Sequence, residues 1–348
     1  MKKIVIHSAG SREKLQYIET EDLTPKNDEV LIEVRAIGIN YADVCVRLGV
    51  YESAKEYVGW PITPGFEVSG TVKSVGPSVK KFKVGEKVVG FSFFNAYATE
   101  VCVSEKQVMP IPKGFSLEEA AGFSAVFFTA FHALHHNTVL RPGSTVLIHS
   151  AAGGVGTALV QLCKAHGLRV VGVIGSSHKR AYLEKFKPDV IIDKSKEDLW
   201  GVAKEAAPAG FQAIFDANGY TTFKDSYKHL APMGKLLVYG AHGLLSKNTG
   251  RINYFKAIVG LLRTPRFWPL EMISSNKGVI GFNLSFLFQE EDLIRECVEG
   301  ISELAASGDI TPIPVTTFPF EKVREAHELI ESGNSVGKII LVVSSAST

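Results

Sequence analysis

The sequence predicts an α/β fold in two parts, a doubly wound parallel sheet and a mostly-β module. Short alternating strands, punctuated by glycine and proline, run from Lys3 to about Phe94, which is typical of an antiparallel or barrel-like module. From Ser144 to Leu284, strand patterns alternate with helical ones, as they do in a doubly wound parallel sheet. A chain of 348 residues is long enough for two domains.

Two further segments complete this predicted organisation. Ser116 to Glu119 form a capping box, and the apolar residues from Ala120 to Leu134 predict one helix that is hydrophobic on nearly all sides. A helix predicted from Glu290 to Ser307 precedes the strand patterns TPIPVTTFPF and KIILVV. We expect these late strands to complete the β module that begins the chain.

Composition and charge narrow the class of partner. The formal net charge of +2, without a long run of one sign, indicates neither nucleic acid nor a strong membrane signal. Four scattered cysteines without a Cys-x-x-Cys pair favour neither a zinc ribbon nor a disulfide framework. The first residues are too polar for a signal peptide, and no apolar run is long enough to span a bilayer. We therefore expect a cytoplasmic protein that acts on a small molecule.

A glycine-rich turn lies at the start of the predicted parallel sheet. The apolar strand TVLI leads into Ala151, Gly153 and Gly156, which have the spacing of the dinucleotide fingerprint with Ala in the first place. Gly154 and Val155 belong to the same turn. Such a turn brings the backbone N–H groups of a helix N-terminus to a pyrophosphate. A purely structural strand-to-helix turn would also favour glycine, so the turn alone leaves both interpretations open.

The end of the second predicted strand, RVVGVIG, indicates which dinucleotide is bound. In this fold a carboxylate at that place accepts the ribose hydroxyls of NAD and repels the 2′-phosphate of NADP. No Asp or Glu occurs between residues 169 and 181, where Ser176, Ser177, Lys179 and Arg180 are present instead. Hydroxyls and cations favour NADP over NAD. The alternative is that Ser176 caps the next helix and that the two cations are solvated.

Six motifs resemble the medium-chain dehydrogenase/reductase superfamily, specifically its zinc-free quinone oxidoreductases and, within them, the VAT-1-like branch. Together they span nearly the whole chain, and they are GINYADVCVRLGVY (38–51), PGFEVSGTV (64–72), SAAGGVGTALVQLCK (150–164), PMGKLLVYG (232–240), GFNLSFL (281–287) and NSVGKIILVV (334–343).

This resemblance implies a domain organisation and an assembly. A GroES-like catalytic domain is expected at residues 1–123, with a return to it at 287–348, and a Rossmann NADP-binding domain at 124–286. The resemblance also implies a homodimer formed through the last Rossmann strand, VIGFNL.

The resemblance further assigns cofactor contacts. Lys194 stands where the family has a tyrosine after the third strand, and it could still contact the NADP phosphate. The nicotinamide half is assigned to eight residues, Thr129, Asn218, Gly219, Gly240, Ala241, Phe282, Asn283 and Lys338.

The metal ligands of zinc-dependent relatives are replaced in this chain. Those relatives use a Cys in the first motif and a His in the second, where Asn40 and Phe66 stand here. Neither side chain can replace a thiolate or an imidazole on Zn²⁺, so no zinc is expected. His132, His135 and His136 lie within about one helical turn, but without an adjoining acidic or cysteine partner they do not predict a metal site.

Without a Lewis acid, the substrate must itself be electrophilic. Quinones and α,β-unsaturated carbonyls meet this condition. The amide of Asn40 and the phenol of Tyr51 are the candidate catalytic donors, although a turn residue and a core aromatic are the structural alternatives. Asp43 is expected to order the loop between them.

Three functions follow for a protein of this kind. The leading prediction is NADPH-dependent reduction of quinones without zinc. The first alternative is NADPH-dependent reduction of an activated C=C bond in an enal, enone or enoyl thioester. The second is a VAT-1-like peripheral membrane or lipid-handling protein with little catalysis. For the aromatic and basic segment Leu244 to Ile273 we predict a mobile cap or a dimer contact in preference to a membrane contact.

Overall fold

The structure is a computed structural model that describes residues 1–244, 250 and 252–344. The chain divides into two compact units. Unit 1 comprises Met1–Phe128, Lys247–Arg251 and Ser285–Thr348. Unit 2 comprises Thr129–Ser246 and Ile252–Leu284.

The first part of the chain, up to residue 131, consists mainly of short strands. The strands are β1 (Lys2–Val5), β2 (Gln16–Glu19), β3 (Glu29–Ile39), β4 (Glu67–Val75), β5 (Lys87–Phe91), β6 (Glu100–Ser104) and β7 (Val108–Pro110). The helices are α1 (Tyr41–Arg47), α2 (Glu52–Tyr57), α3 (Leu117–Ala121) and α4 (Ser124–Phe131).

The following part alternates strands and helices. Its strands are β8 (Thr145–Ile148), β9 (Arg169–Ile174), β10 (Val190–Asp193), β11 (Phe211–Asp216), β12 (Leu230–Val238) and β13 (Gly278–Gly281). Its helices are α5 (Gly154–Ala165), α6 (Arg180–Glu184), α7 (Leu199–Ala206), α8 (Phe223–Lys228), α9 (Tyr254–Arg263) and α10 (Pro269–Ser275). The chain then continues through α11 (Glu291–Ser307), β14 (Val315–Pro319), α12 (Val323–Ser332) and β15 (Lys338–Val342).

Unit 2 contains the predicted doubly wound sheet, which is confirmed. Its six strands are all parallel and lie in the order β10-β9-β8-β11-β12-β13. The strand order reverses between β8 and β11, and ligands of such sheets bind outside the carboxyl ends of the strands at this reversal. Val146, Leu147 and Ile148 of β8 are fully buried, as the apolar run predicts for a central strand that is covered on both faces.

Unit 1 is built from both ends of the chain, as predicted from the late strands. Its seven-stranded sheet has the order β14-β15-β3-β4-β5-β7, and β6 also pairs with β3. The C-terminal strand β15 is antiparallel to β3, with Ile340 opposite Gly38. The residues inside it form one apolar core that includes Ile32, Val68 and Leu341.

The single helix predicted from Ala120 to Leu134 is wrong. The capping box at Ser116 and Glu119 forms, with hydrogen bonds of 2.9 and 3.2 Å, but α3 ends at Gly122 and α4 begins at Ser124. A Cβ atom at residue 122 would lie 2.9 Å from Cε of Lys338. The chain therefore bends here to pass a buried lysine from a strand that lies far away in the sequence.

The close packing of the dinucleotide turn yields a prediction for Gly156→Ala. A Cβ at this residue would lie 2.3 Å from the carbonyl oxygen of Ser150 and 2.7 Å from Cα of Ala151. Both neighbours are backbone atoms and cannot yield locally, so we expect a loss of about 1–3 kcal/mol of stability, the usual cost of overpacking. Thermal unfolding measures it. Gly281→Ala is the matched control, because its nearest atom is 4.0 Å away, and equal melting temperatures for the two variants would contradict the packing argument.

Candidate active site

A fully buried carboxylate, Glu67 of β4, is the centre of the polar cluster in unit 1. Its Oε1 accepts hydrogen bonds from Nδ2 of Asn40 at 2.9 Å and from Nζ of Lys338 at 2.8 Å. Its Oε2 accepts from the hydroxyl of Ser124 at 3.0 Å and from the backbone N–H of Ala125 at 2.7 Å. Each oxygen of this buried carboxylate therefore accepts two hydrogen bonds, so neither is left without a donor.

Lys338 neutralises this carboxylate and is itself buried. Its ammonium group donates to the backbone oxygen of Ile39 at 2.9 Å, to Oδ1 of Asn40 at 2.8 Å and to Glu67. An ammonium group has three hydrogens, and all three have acceptors here. This saturation argues against the direct cofactor contact that the resemblance implies for Lys338.

Gly38 allows β3 to pass close to Glu67, because glycine has no Cβ atom. A Cβ on Gly38 of β3 would lie 2.4 Å from the backbone oxygen of Ala121 and 2.5 Å from Oε1 of Glu67. Any side chain at residue 38 would therefore displace the carboxylate. The GIN sequence that opens the first motif thus has a packing role beside the cluster.

A second buried carboxylate orders the loop that holds Asn40. Asp43 accepts the backbone N–H of Asn40 at 2.8 Å, the backbone N–H of Gly65 at 3.1 Å and the hydroxyl of Tyr97 at 3.1 Å. This geometry agrees with the ordering role expected for Asp43. Burial raises the pKa of Asp43 to about 7 and outweighs the hydrogen bonds from Asn40 and Tyr97. The Tyr97 hydroxyl also lies 3.1 Å from Nε2 of His327. Tyr97 and His327 are fully buried and were not anticipated from sequence.

The places of the two zinc ligands are occupied by side chains that are engaged with their neighbours. The amide of Asn40 is bonded to Glu67 and Lys338, and one of its two N–H hydrogens meets the Glu67 oxygen. The ring of Phe66 packs edge-on against Tyr51, with centroids 5.8 Å apart, and against Phe94 at 5.1 Å. The structure thus places Tyr51 against the ring of Phe66 and Asn40 against the carboxylate of the next residue, Glu67.

Two members of the histidine cluster form a part-buried pair. His132 and His136 approach with their Nδ1 atoms 3.0 Å apart, and burial lowers the pKa of His132 and of His135 to about 4. Within residues 1–244, 250 and 252–344, no group of three or more His, Cys, Asp or Glu side chains is placed to hold a metal ion.

The dinucleotide turn in unit 2 lies at the reversal of strand order. Ser150 follows β8 with a positive φ of 52°, and Gly153 is the N-cap of α5. Ala151 is completely buried, and the α5 backbone at Gly156 passes directly over the turn. The free N–H groups at the start of α5 therefore lie at the switch point, as the fingerprint predicts.

Asn218 is oriented at the same switch point by a buried carboxylate that we did not anticipate. Asp216, the last residue of β11, accepts from the backbone N–H of Asn218 at 2.8 Å and from the hydroxyls of Thr222 and Ser226 at 2.9 and 2.8 Å. Oδ1 of Asn218 accepts from Ser150 at 3.0 Å. Its Nδ2 is buried without a hydrogen-bond partner. An unsatisfied donor beside a phosphate-binding turn fits a bound dinucleotide, because such donors are costly unless a ligand meets them.

The loops after β11, β12 and β13 lie close together at the carboxyl ends of these strands. A Cβ on Gly219, whose φ is 96°, would lie 3.2 Å from Cα of Ala241. The backbone N–H of Phe282 donates to Val238 of β12 at 3.1 Å, and its ring lies 4.9 Å from that of His132, just beyond α4. Among the segments assigned to the nicotinamide half, the structure thus brings Gly219 close to Ala241 and Phe282 close to β12.

The predicted phosphate-binding turn after β9 contacts a carboxylate that belongs to a different strand, β10. Ser177 donates to Oδ2 of Asp193 at 2.6 Å. Arg180 donates to the backbone oxygen of Ile191 at 3.2 Å and lies 3.6 Å from Glu197. Asp193 was not anticipated because it lies on the third strand of the sheet and not on the second. The alignment of DVIID with RVVGVIG as neighbouring parallel strands was the available signal.

One face of α9 and α10 is apolar and exposed. These two helices and the N-cap residue of α10 expose eight large apolar side chains, with Leu262 80% and Phe255 79% accessible. On α9 they recur at helical spacing, and the complete set is Tyr254, Phe255, Ile258, Leu261, Leu262, Trp268, Leu270 and Ile273. Part of the segment predicted as a cap, residues 245–249 and 251, lies outside the described residues. Among the described residues, no helix combines the length and the apolar composition that a bilayer crossing needs.

Comparison with known proteins agrees with both units. Residues 26–113 match the family described as "Alcohol dehydrogenase GroES-like domain", and residues 187–341 match "Zinc-binding dehydrogenase". The solved structure of Escherichia coli quinone oxidoreductase complexed with NADPH superimposes with a TM-score of 0.83 and 26% identity, covering 98% of this chain and 100% of that chain.

Relatives share about three in ten of the aligned residues with this chain. The chain is 32% identical to the Homo sapiens synaptic vesicle membrane protein VAT-1 homolog, over 94% of this chain and 82% of that protein. It is 29% identical to Rattus norvegicus quinone oxidoreductase, over 92% of this chain and 90% of that protein. The Danio rerio VAT-1 homolog is 32% identical over 91% of this chain, and the chain spans 64% of its length.

A Rossmann sheet with a dinucleotide turn and a GroES-like β unit closed by both chain ends define the dehydrogenase/reductase class of fold. The chain belongs to the medium-chain dehydrogenase/reductase superfamily. Its sequence is similar both to VAT-1 homologues and to quinone oxidoreductases.

The buried pair of unit 1 yields a second prediction. Lys338→Met leaves the Glu67 charge buried without its partner, so we expect a loss of about 3–5 kcal/mol of stability. The double variant Glu67→Gln/Lys338→Met removes both charges and is expected to recover most of this loss. Chemical denaturation measures both. Lys322→Met, at the exposed Lys322–Glu325 pair, is the control and should cost under about 1 kcal/mol. Additive effects of the two core substitutions would show that the pair is not coupled.

Proposed function

We propose that the protein is a zinc-independent, NADPH-dependent reductase of quinones. The observation that carries this proposal is the chemistry at residues 40 and 66. There an amide bonded to Glu67 and Lys338 and a phenyl ring packed on Tyr51 replace two metal ligands. Substrate activation by this chain then depends on hydrogen-bond donors, which suffice for a conjugated carbonyl.

Unit 2 supplies the groups for the dinucleotide. The N–H groups at the start of α5 would hold the pyrophosphate, and Asn218 has a buried N–H group without a partner at the same switch point. When bound, NADPH supplies the hydride. Lys179 and Lys194 are the cations proposed to meet its 2′-phosphate. The similarity to a quinone oxidoreductase solved with NADPH supports this choice.

Unit 1 supplies the donors for the substrate. Asn40 has a second amide hydrogen beyond the one that Glu67 accepts, and this hydrogen would stabilise charge on a substrate oxygen. The Tyr51 phenol would donate the proton that completes reduction of that oxygen. Glu67, Lys338 and Asp43 hold the Asn40 loop in place for this role.

The proposal includes an assembly. β13 is the last strand of the Rossmann sheet, and no other strand of the described residues pairs with its outer edge. Pairing of two such edges would extend the sheet across a homodimer. The four cysteines are free thiols, which suits the reducing cytoplasmic compartment proposed for the protein.

Reduction of an activated C=C bond is the alternative chemistry, and Tyr51 favours it. Its ring lies against Phe66, at the place of a zinc ligand in metal-dependent relatives. A phenol there could protonate the α-carbon or the enolate oxygen after hydride addition. Quinone reduction makes less demand on a dedicated acid, because the hydroquinone oxygens can exchange protons with water.

These proposals predict the outcome of a turnover assay. Chelator-treated protein is expected to oxidise NADPH with simple quinones at an undiminished rate. Tyr51→Phe is expected to lower turnover of enones by 10²–10⁴-fold, the usual contribution of a positioned acid, and to affect quinones far less. Tyr57→Phe, at an exposed tyrosine, is the control. If NADPH is not oxidised in the presence of quinones, the leading proposal is refuted. If Tyr51→Phe leaves enone turnover unchanged, the alternative is refuted.

The exposed face of α9 and α10 supports the third function, a peripheral protein at a lipid surface. Five apolar side chains project from one side of α9, and Arg263 and Arg266 adjoin them. Such a face can enter the headgroup region of an anionic membrane. The VAT-1 homologues that the chain resembles are described as synaptic vesicle membrane proteins.

Vesicle flotation tests this function. If the face binds lipid, the protein floats with anionic vesicles, and Leu262→Glu reduces the bound fraction at least tenfold, because a buried leucine contributes about 1.5–3 kcal/mol. Val139→Glu introduces the same charge at another exposed apolar residue and should leave binding intact. Protein that stays with the soluble fraction at low salt would remove this alternative.

A further inference from the structure

The contact between Ser177 and Asp193 bears on the choice of cofactor. Asp193, the last residue of β10, stands opposite Ile174, the last residue of β9, in the parallel ladder. The carboxyl ends of the two strands therefore meet, and the exposed Ser177 hydroxyl reaches Oδ2 of the buried Asp193 at 2.6 Å. The other carboxylate oxygen accepts from the backbone N–H and the hydroxyl of Ser195 at 3.0 and 2.6 Å.

The direction of this hydrogen bond is determined by charge. Hydrogen bonds from Ser177 and Ser195 lower the pKa of Asp193 to about 2, so the group is ionised at neutral pH. A carboxylate can only accept hydrogen bonds, and a serine hydroxyl has one hydrogen. Ser177 therefore donates its hydroxyl hydrogen to Asp193. Toward a ligand, the Ser177 oxygen can then only accept a hydrogen bond.

We propose that Asp193 determines the selectivity of the nucleotide site through Ser177 and keeps the site open to NADH as well as NADPH. This inference rests on the proposed binding of a nicotinamide dinucleotide by unit 2. Residues at the end of the second strand face the adenosine ribose in this fold. A 2′-hydroxyl can donate to the Ser177 oxygen, whereas a 2′-phosphate dianion offers acceptors only and meets oxygen lone pairs.

Asp193 thus opposes the cations of the same turn. Lys179 and Lys194 attract a 2′-phosphate, whereas Ser177, whose hydrogen is held by Asp193, presents only oxygen lone pairs to it. The sequence lacks a carboxylate on the second strand, but the third strand supplies one indirectly. The preference for NADPH is therefore smaller than the second strand alone predicts.

The variant Asp193→Asn reverses the hydrogen bond. The backbone N–H of Ser195 can only donate, so the amide oxygen of the new side chain takes the place of Oδ1, and the amide nitrogen faces Ser177. Ser177 must then accept from this amide, and its hydrogen turns toward the ribose. A 2′-phosphate gains a charge-assisted hydrogen bond, and a 2′-hydroxyl gains little.

Direct binding of NADPH and NADH to the full chain, measured by cofactor fluorescence without substrate, tests this inference. We expect Asp193→Asn to raise the ratio of NADPH to NADH affinity about tenfold, the effect of one charge-assisted hydrogen bond. Ser177→Ala is expected to weaken NADH and leave NADPH unchanged. In the Ser177→Ala background, Asp193→Asn should have little further effect on the ratio.

Asp189→Asn is the matched control. It removes a carboxylate at the opposite end of the same strands, where Asp189 accepts from Lys164 and from the backbone N–H of Val170, and the affinity ratio should not change.

Three results would overturn the inference. Parallel loss of both affinities in Asp193→Asn would show that Asp193 only supports the loop. An undiminished effect of Asp193→Asn in the Ser177→Ala background would show that the charge acts without Ser177. Loss of NADPH rather than NADH affinity in Ser177→Ala, a change at an exposed residue, would show that Ser177 donates to the phosphate. Absence of quinone turnover with the expected affinities would refute the proposed reaction and leave this inference standing.

Discussion

The buried pair between Glu67 and Lys338 is the interaction on which the rest of unit 1 depends. It joins the end of β3, the start of β4, the start of α4 and the last strand, four segments that are far apart in the sequence. A buried ion pair adds little net stability, because desolvation offsets the Coulomb attraction, but an unpaired partner is costly. The pair therefore selects one arrangement of these segments. Gly38 and Gly122 are required beside it because any Cβ would occupy its space.

The same device recurs in unit 2, where a buried carboxylate also positions an amide. Asp216 accepts hydrogen bonds from the hydroxyls of Thr222 and Ser226 and from the backbone N–H of Asn218. Asp43 likewise accepts the backbone N–H of Asn40. In each case a buried carboxylate binds the backbone N–H of an amide residue that lies just past a strand terminus. Neutral amides, which bind a ligand by geometry and without charge, are thereby presented at both proposed sites. A rigid donor of this kind costs little reorganisation when a substrate oxygen or a cofactor arrives.

The proposed chemistry follows from which residues are saturated and which are not. Lys338 has used all three hydrogens, so its effect on a ligand passes through Asn40. Asn40 retains an amide hydrogen, and Asn218 retains a buried nitrogen without a partner. At the ribose end, the Ser177 hydrogen is already committed to Asp193. A residue with an uncommitted hydrogen can donate to a ligand, whereas a saturated residue can only orient its neighbours. The type of a residue alone does not show this difference.

The sequence by itself determined the fold class, the glycine turn and the return of the chain end to the first module, and its resemblance to a known family added the replacement of both zinc ligands. These features depend on local spacing, apolar periodicity and the types of a few residues, all of which can be read without knowing which segments meet. The tertiary structure alone decided that one predicted helix breaks at Gly122, that Lys338 is buried against Glu67, and that Asp216 and Asp193 accept hydrogen bonds from the turns after β11 and β9. Each of these contacts joins residues on different strands or distant segments, and their register is determined by packing across the sheet, which no local pattern records.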